Sequence, residues 1–277
     1  MTNLSEHRVA TGRGDIVYYR SELFPNRPTV LFLHGLSSNH TTWIEMMEAM
    51  RVQKINCIAP DLRGHGNSDK AKKMALYTWD IFTSDMLTVM DDAKVEKATI
   101  VGYSYGGPLA MHIALRAPER VQGLVLISTN HKSTFSYNRW LFWFPPVGSA
   151  IFRFLGVILI WQYRKKYSYY IHSEAGGYWD ATWRGLTTMP LSVDAWMLRQ
   201  MGHLNLGDRI KNITAPALLI HSPGDPFLPD REVADMIKLM PHARDVLPKH
   251  KSHFIASQAQ EELAETISEF VLKEIKQ

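Results

Sequence analysis

Short runs of consecutive apolar residues alternate along the chain with longer segments in which apolar residues recur every three or four positions. Runs such as Thr-Val-Leu-Phe-Leu at 29–33 are almost continuously apolar, as expected for strands covered on both faces. The pattern predicts strands at 16–19, 29–33, 56–59, 98–102, 123–128, 217–221 and 244–247. It predicts helices at 43–51, 78–91, 107–116, 231–239 and 258–275. This alternation is typical of an α/β fold with a mostly parallel sheet.

The alternation stops after residue 128 and resumes at 216. The segment between holds 17 of the 30 aromatic residues of the chain. Between 131 and 204, eight lysines and arginines stand against three acidic residues, a net charge of +5, which leaves −1 for the rest of a chain of net charge +4. We therefore predict a core domain formed by 1–130 and 205–277, with a mostly helical cap inserted at 131–204. The basic excess is confined to one segment, so we expect a local basic surface and no nucleic-acid binding.

The cap contains an apolar run, 140–161, in which Arg153 is the one charged residue. Pro145-Pro146 interrupts the run, so a transmembrane helix is not predicted. Two interpretations stay open: the apolar residues pack the cap onto the core, or some line an acyl-binding pocket while the aromatic and basic fringe rests on an anionic lipid surface. In the second interpretation the substrate-binding candidates are Trp140, Phe144, Phe154 and Trp161.

Composition places the chain among ordinary globular proteins, with 277 residues, 45% of them hydrophobic and 21% charged. The first residues lack the apolar stretch of a secretory signal. The single cysteine, Cys57, lies in an apolar run, cannot form an intramolecular disulfide, and is expected to be a buried structural thiol. These features predict a cytoplasmic protein, and the second interpretation of the cap adds a peripheral membrane contact. The oligomeric state is left open.

The candidate chemistry begins at Gly102-Tyr103-Ser104-Tyr105-Gly106, between a predicted strand and a predicted helix. This is the context of a nucleophile elbow, in which a serine sits in a strained turn with positive φ and needs small neighbours two residues away. The amide of Tyr105 would then lie at a helix N-terminus, where an oxyanion is stabilised.

Together with four further segments, at 33–36, 61–68, 222–226 and 252–254, this motif resembles the α/β-hydrolase family. Leu33-His34-Gly35-Leu36 is similar to the turn after the third strand, and residues 61–68 to the family's D-x-R-G-x-G-x-S loop. The resemblance implies a mostly parallel eight-stranded sheet flanked by helices, with Ser104, Asp225 and His253 as catalytic residues in the family's chain order. It implies the amides of Leu36 and Tyr105 as the oxyanion hole, and neither a cofactor nor a metal.

Other residues compete for these roles. His242 and His250 lie in the same loop region as His253, which alone has the short spacing to the last predicted helix. Asp230 competes with Asp225, but it directly precedes a helical run, where capping is its default role. His34, His65 and Asp61 belong to glycine-containing turns, and we expect them to hydrogen-bond those loops.

The resemblance implies a serine hydrolase for a small-molecule ester with an apolar acyl chain, similar to carboxylesterases or monoacylglycerol lipases. Alternatives with the same residues are a C–C hydrolase, a thioesterase or an acyltransferase, because specificity lies in the cap. A non-catalytic ligand receptor with the same fold is a further alternative. Epoxide hydrolases and dehalogenases carry an aspartate where this chain has Ser104, which disfavours both activities.

Overall fold

A single sheet organises the computed structural model, which describes residues 4–133 and 189–275 together with the isolated positions 147, 150, 151 and 154. Its strands are β1 Ser5–Ala10, β2 Asp15–Arg20, β3 Thr29–Leu33, β4 Asn56–Pro60, β5 Ala98–Tyr103, β6 Val121–Ile127, β7 Ala217–Ile220 and β8 Ala243–Val246. The order across the eight-stranded sheet is β1-β2-β4-β3-β5-β6-β7-β8. The pairs β1–β2 and β2–β4 are antiparallel and the others are parallel. The predicted mostly parallel eight-stranded sheet is therefore confirmed.

The described helices are α1 Ile44–Val52, α2 Trp79–Asp92, α3 Gly106–Arg116, α4 Leu191–Gly202, α5 Asp230–Leu239, α6 Ile255–Gln258 and α7 Gln260–Glu269. Short 3-10 turns span His40–Trp43, Met74–Leu76, Pro118–Arg120 and Gly207–Asn212. The single helix predicted at 258–275 is wrong in detail. Ala259, with φ −131°, separates α6 from α7, and a π-helical turn, Phe270–Glu274, ends the segment.

The core consists of two apolar clusters, one on each face of the sheet, because successive side chains of a strand point to opposite faces. In β3, Val30 and Phe32 contact the cluster that includes Met46 of α1 and Leu263 of α7. Leu31 and Leu33 contact the other, which includes residues of α2 and α3. Helices thus cover both faces, which explains why the parallel strands are apolar at nearly every position.

The first strand, β1, was not among the strands predicted from the pattern. Its sequence, Ser-Glu-His-Arg-Val-Ala, is mostly polar and mostly exposed, so it lacks the apolar face that the prediction required. It pairs with β2 over six residues through a tight turn in which the Thr11 amide donates to the Gly14 carbonyl at 3.2 Å. Pairing with a buried neighbour therefore makes this edge segment a strand.

The chain segments at the two predicted boundaries of the cap lie side by side. The Ser133 amide donates to the Leu204 carbonyl at 2.8 Å, and the Leu206 amide to the His131 carbonyl at 2.9 Å. A segment whose ends are adjacent can be inserted without displacing the strands around it. The predicted division at 131 and 204 stays a prediction, since most of the cap lies outside the described residues. A bilayer-spanning helix would need a longer and more apolar stretch than any helix within the described ranges provides.

Candidate active site

Ser104 occupies a sharp turn between the end of β5 and the start of α3. Its φ of 50° lies in the left-handed region, which is strained for a residue with a side chain. Its amide donates to the Ile127 carbonyl at 3.0 Å, while its carbonyl accepts from the Gly107 amide at 3.0 Å and the Thr129 hydroxyl at 2.8 Å. These bonds hold the strained backbone in place.

The two glycines that flank the elbow permit close contact between neighbouring backbones. A Cβ on Gly102 would lie 2.5 Å from the Gly106 carbonyl oxygen, and a Cβ on Gly106 would lie 2.2 Å from that of Leu33. Real side chains do not tolerate such distances. The glycine spacing in the sequence therefore has the steric cause that was inferred for it.

His253 lies between Ser104 and Asp225. Its Nε2 is 3.2 Å from Ser104 Oγ, and its Nδ1 is 2.7 Å from Asp225 Oδ2. A carboxylate can only accept, so Nδ1 carries a proton, and in the neutral ring Nε2 is free to accept from the serine hydroxyl. The three side chains thus form one continuous hydrogen-bonded chain, although 149 sequence positions separate Ser104 from His253.

Asp225 is 5% exposed and is fixed by its own loop, since its Oδ1 accepts from the Phe227 amide at 2.8 Å. Ser222, at the start of this loop, joins it to the histidine loop. The Ser222 hydroxyl accepts from the Ser252 amide at 3.1 Å and lies 3.2 Å from the His250 carbonyl, to which it can donate. The acid and the histidine are therefore held in register by hydrogen bonds between their loops.

The competing residues lie elsewhere. His242 and His250 are exposed. Asp230 accepts from the Gly224 amide at 3.2 Å and is the first residue of α5, whose N-cap is Pro229. The expectation that Asp230 is the N-cap of α5 is therefore wrong, because the residue before it takes that position.

The loop after β3 brings Leu36 close to the elbow. A Cβ on Gly35 would lie 3.5 Å from Ser104 Cβ, and the Ser38 amide donates back to the Gly35 carbonyl at 3.3 Å, which closes a turn. Within the described ranges, the amides of Leu36 and Tyr105 donate to no backbone oxygen. Their assignment to an oxyanion hole stays a prediction.

The remaining motif residues stabilise these loops, as predicted. His34 Nε2 accepts from the Leu62 amide at 3.0 Å, and burial lowers the pKa of His34 to about 4, so its ring is neutral. Asp61 accepts from the His40 and Asn67 amides at 2.9 and 2.8 Å. Burial by itself raises the pKa of Asp61, but His40 and the amides hold it below its ordinary value. Within 4–133 and 189–275 no three acidic, histidine or cysteine side chains are arranged to hold a metal ion.

Two hydrogen bonds that the sequence did not indicate join α4 to this site. The Ser37 hydroxyl donates to Asp194 Oδ1 at 2.6 Å, and the Tyr105 hydroxyl donates to Gln200 Oε1. Burial raises the pKa of Asp194 to about 7, although the bond from Ser37 lowers it. Asp194 could have been suspected from the sequence, because it is an acidic residue among the apolar positions of a helix. Nothing in the sequence indicated the role of Gln200.

Of the predicted substrate-binding residues, Trp140, Phe144 and Trp161 lie outside the described residues. Phe154 is 70% exposed. The other described positions of this segment, Val147, Ala150 and Ile151, are also helical and exposed. These four residues follow the spacing of one helix face, and all are apolar.

Comparison with known proteins places the chain among relatives of one fold. A family model described as alpha/beta hydrolase fold matches residues 28–259. A pimeloyl-[acyl-carrier protein] methyl ester esterase of Nitrosomonas europaea is 28% identical over 82% of this chain and 89% of its own length. An uncharacterized protein of Mycobacterium bovis is 40% identical, and an epoxide hydrolase of Caballeronia sordidicola 35% identical, each over 36% of this chain. This chain covers only 29% and 31% of the length of those two relatives.

Solved structures resemble the whole chain at low sequence identity. An enol-lactonase from Burkholderia xenovorans LB400 superimposes with a TM-score of 0.75 and 18% identity, over 96% of this chain and 100% of the other. A hydrolase from Pseudomonas aeruginosa PA01 gives 0.76 and 18%, over 98% of both chains. At this identity the likeness concerns the fold.

Proposed function

The chain belongs to the alpha/beta hydrolase fold family, and from this premise we propose that it is a serine hydrolase that cleaves carboxylic esters through an acyl-enzyme on Ser104. The observation that carries the proposal is the hydrogen-bonded chain Ser104–His253–Asp225. A serine hydroxyl is a weak nucleophile unless a base removes its proton during attack, and His253 Nε2 is within reach of that proton.

In the acylation step, Ser104 Oγ attacks the ester carbonyl while its proton moves to His253 Nε2. Asp225 stabilises the imidazolium that forms. The amides of Leu36 and Tyr105 donate to the oxyanion of the tetrahedral intermediate, where loss of one donor costs roughly 10²–10³ in rate. Collapse of the intermediate breaks the ester C–O bond, and His253 returns the proton to the leaving alkoxide.

In the deacylation step, water replaces the alcohol. It gives one proton to His253 as its oxygen attacks the acyl carbon, and the tetrahedral intermediate then expels Ser104 Oγ, which recovers that proton. The products are a carboxylic acid and the free enzyme.

We assign the substrate to esters with an apolar acyl chain. The proposal is supported by the aromatic and apolar composition of residues 140–161 and by the similarity to a methyl ester esterase. Ser104 stands where epoxide hydrolases carry an aspartate, so the similarity to an epoxide hydrolase does not transfer its activity to this chain.

We also propose that the cap contacts an anionic lipid surface, where apolar acyl esters reside. The four exposed apolar positions of the segment 147–154 supply a face that can enter the interface. The net charge of +5 between 131 and 204 is complementary to anionic headgroups.

Substitution of the three site residues tests the catalytic proposal. We expect Ser104→Ala and His253→Ala to lower kcat on p-nitrophenyl esters by on the order of 10⁴–10⁶. Asp225→Asn should cost roughly 10⁴, because the imidazole survives in a less favourable tautomer. The matched control is Asp230→Asn, which keeps an acceptor for the Gly224 amide and should leave kcat close to that of the wild type. Equal activities of Asp225→Asn and Asp230→Asn would refute the assignment of the acid.

Three further assays separate the alternatives. Esters of graded chain length should show higher kcat/KM for octanoate than for acetate; the reverse order would remove the apolar acyl chain from the proposal. Acyl-CoA thioesters and a vinylogous diketone, assayed in parallel, distinguish a thioesterase or a C–C hydrolase. A fluorophosphonate probe should label the wild type and not Ser104→Ala, whereas a receptor would not be labelled.

A further inference from the structure

Helix α4, Leu191–Gly202, contacts the segments that carry both proposed oxyanion donors. Asp194 accepts a hydrogen bond from the side chain of Ser37, the residue after Leu36. Gln200 accepts a hydrogen bond from the hydroxyl of Tyr105 itself. The helix is also packed firmly on the core, since Val193 and Met197 are fully buried. A fixed helix can therefore hold two loops that come from distant parts of the sequence.

The bond to Ser37 acts on a strained turn. In the turn closed by Gly35 and Ser38, Ser37 has φ 55°, a conformation that usually needs glycine at this position. Such strain persists only when surrounding contacts impose it. The hydrogen bond from Ser37 to Asp194, which is 2% exposed, is a contact of that kind. It fixes the turn that directs the Leu36 amide.

The bond to Tyr105 acts on the other donor. The Tyr105 side chain is 1% exposed, and its ring stacks on Trp79 with centroids 5.0 Å apart. The hydroxyl at the far end of the ring reaches Gln200. A side chain held at both its ring and its tip leaves little freedom to the backbone amide at its base.

We propose that α4 positions both oxyanion amides, with Asp194 and Gln200 as the positioning residues. The inference rests on the proposed function. Asp194 fixes the Leu36 side of the hole through Ser37, and Gln200 fixes the Tyr105 side. The consequence is that α4, which lies in the predicted cap, sets the reactivity of the core site as well as covering it.

The test compares kcat, KM and inhibition by a trifluoromethyl ketone, which forms an anionic tetrahedral adduct with an active serine. Three substitutions each remove one partner of a hydrogen bond: Asp194→Ala, Gln200→Leu and Tyr105→Phe. The last keeps the backbone amide of Tyr105. We expect kcat to fall roughly 10-fold to 100-fold while KM changes little, because misplaced donors weaken the transition state. Inhibition should weaken by a similar factor.

Two comparisons show whether the bonds themselves matter. Asp194→Asn keeps an acceptor for Ser37 and should restore most of the activity lost in Asp194→Ala. Gln200→Leu combined with Tyr105→Phe should lose no more than either change alone, since both break one bond. The control is Arg199→Lys, an exposed position of the same helix, which should match the wild type.

The failures are distinguishable. A wild type that neither hydrolyses the ester nor reacts with a fluorophosphonate refutes the proposed function. An active wild type whose Asp194→Ala and Gln200→Leu variants match Arg199→Lys in kcat overturns the positioning role alone. A rise in KM at constant kcat overturns it too, since α4 would then serve substrate binding.

Discussion

At the scale of single residues, the site depends on a few side chains in unfavourable settings. Ser104 and Ser37 both adopt the left-handed conformation, at φ 50° and 55°. Asp194 is a buried carboxyl whose Oδ2 has no hydrogen-bond partner among the described residues. Such features cost stability and persist where the surrounding fold imposes them. Their concentration around one serine is what we expect of a functional site.

Asp194 makes the stability of the protein depend on pH. Burial raises its pKa from 3.8 to about 7, so the folded protein binds more protons than the unfolded chain between these values. The free energy of unfolding therefore receives a contribution that falls as the pH rises through this window. Asparagine cannot ionise and does not make this contribution. The Tm of Asp194→Asn minus that of the wild type should therefore increase as the pH rises from about 5 to about 7.

Thermal unfolding followed by circular dichroism at several pH values measures this difference. Ser192→Ala, which changes the same helix without removing a titratable group, should differ from the wild type by an amount independent of pH. A constant difference for Asp194→Asn as well would contradict the raised pKa.

At the scale of elements, buried polar contacts fasten the loops to the helices. The guanidinium of Arg63, in the loop after β4, forms a bidentate salt bridge with Asp85 of α2, with N···O distances of 2.8 and 2.7 Å. Both side chains are fully buried. The pair fixes the loop that also contains the Asp61 hydrogen bonds, next to the turn of His34.

Breaking this pair should be costly. Asp85→Ala leaves a buried guanidinium without its counter-ion, and we expect a loss of about 3–5 kcal/mol in the free energy of unfolding. Asp80→Ala is the matched control on the same helix, because the pair of Asp80 with Arg116 is 72% and 62% exposed and is worth about 1 kcal/mol or less. Urea denaturation measures both losses. Similar losses for the two variants would show that the buried pair contributes no more than the exposed one.

At the scale of the whole molecule, the sheet brings the three site residues to one edge. Ser104, Asp225 and His253 follow β5, β7 and β8, whose carboxyl ends share that edge because the strands are parallel. The core clusters lie on the two faces of the sheet, away from this edge. Loops at the edge can therefore carry chemistry while the clusters supply stability.

The membrane contact proposed for the cap is a property of the whole molecule. We expect the protein to sediment with vesicles of phosphatidylglycerol and phosphatidylcholine, less with phosphatidylcholine alone, and less at high salt. Phe154→Ser should weaken binding roughly 10-fold to 100-fold, since burial of such a side chain is worth about 1.5–3 kcal/mol. Val52→Ser, which changes a residue 73% exposed on α1, is the control and should bind as the wild type does. Equal binding of the two variants, or no binding of the wild type, would refute the contact.

Strands and helices with strong local patterns could be predicted from the sequence, because burial on two faces or one face leaves a direct record in the apolar positions. The runs of β3 and β6 and the amphipathic helices α2 and α5 are examples. β1 could not be predicted, since its strand conformation comes from pairing with β2 and not from its own side chains. The break at Ala259 escaped prediction because apolar spacing continues across it.

The location of Ser104 in a tight turn could be read from the chain alone, since two glycines at fixed spacing between a strand and a helix meet a steric requirement of that turn. Tertiary structure alone decided how close Ser104, His253 and Asp225 lie to one another, because their distances depend on strand order and loop packing. It alone revealed the bonds from α4 to Ser37 and Tyr105. Such contacts join residues far apart in the chain. A single hydrogen bond between distant side chains does not change the spacing of apolar residues in either segment, so it cannot be predicted from that spacing.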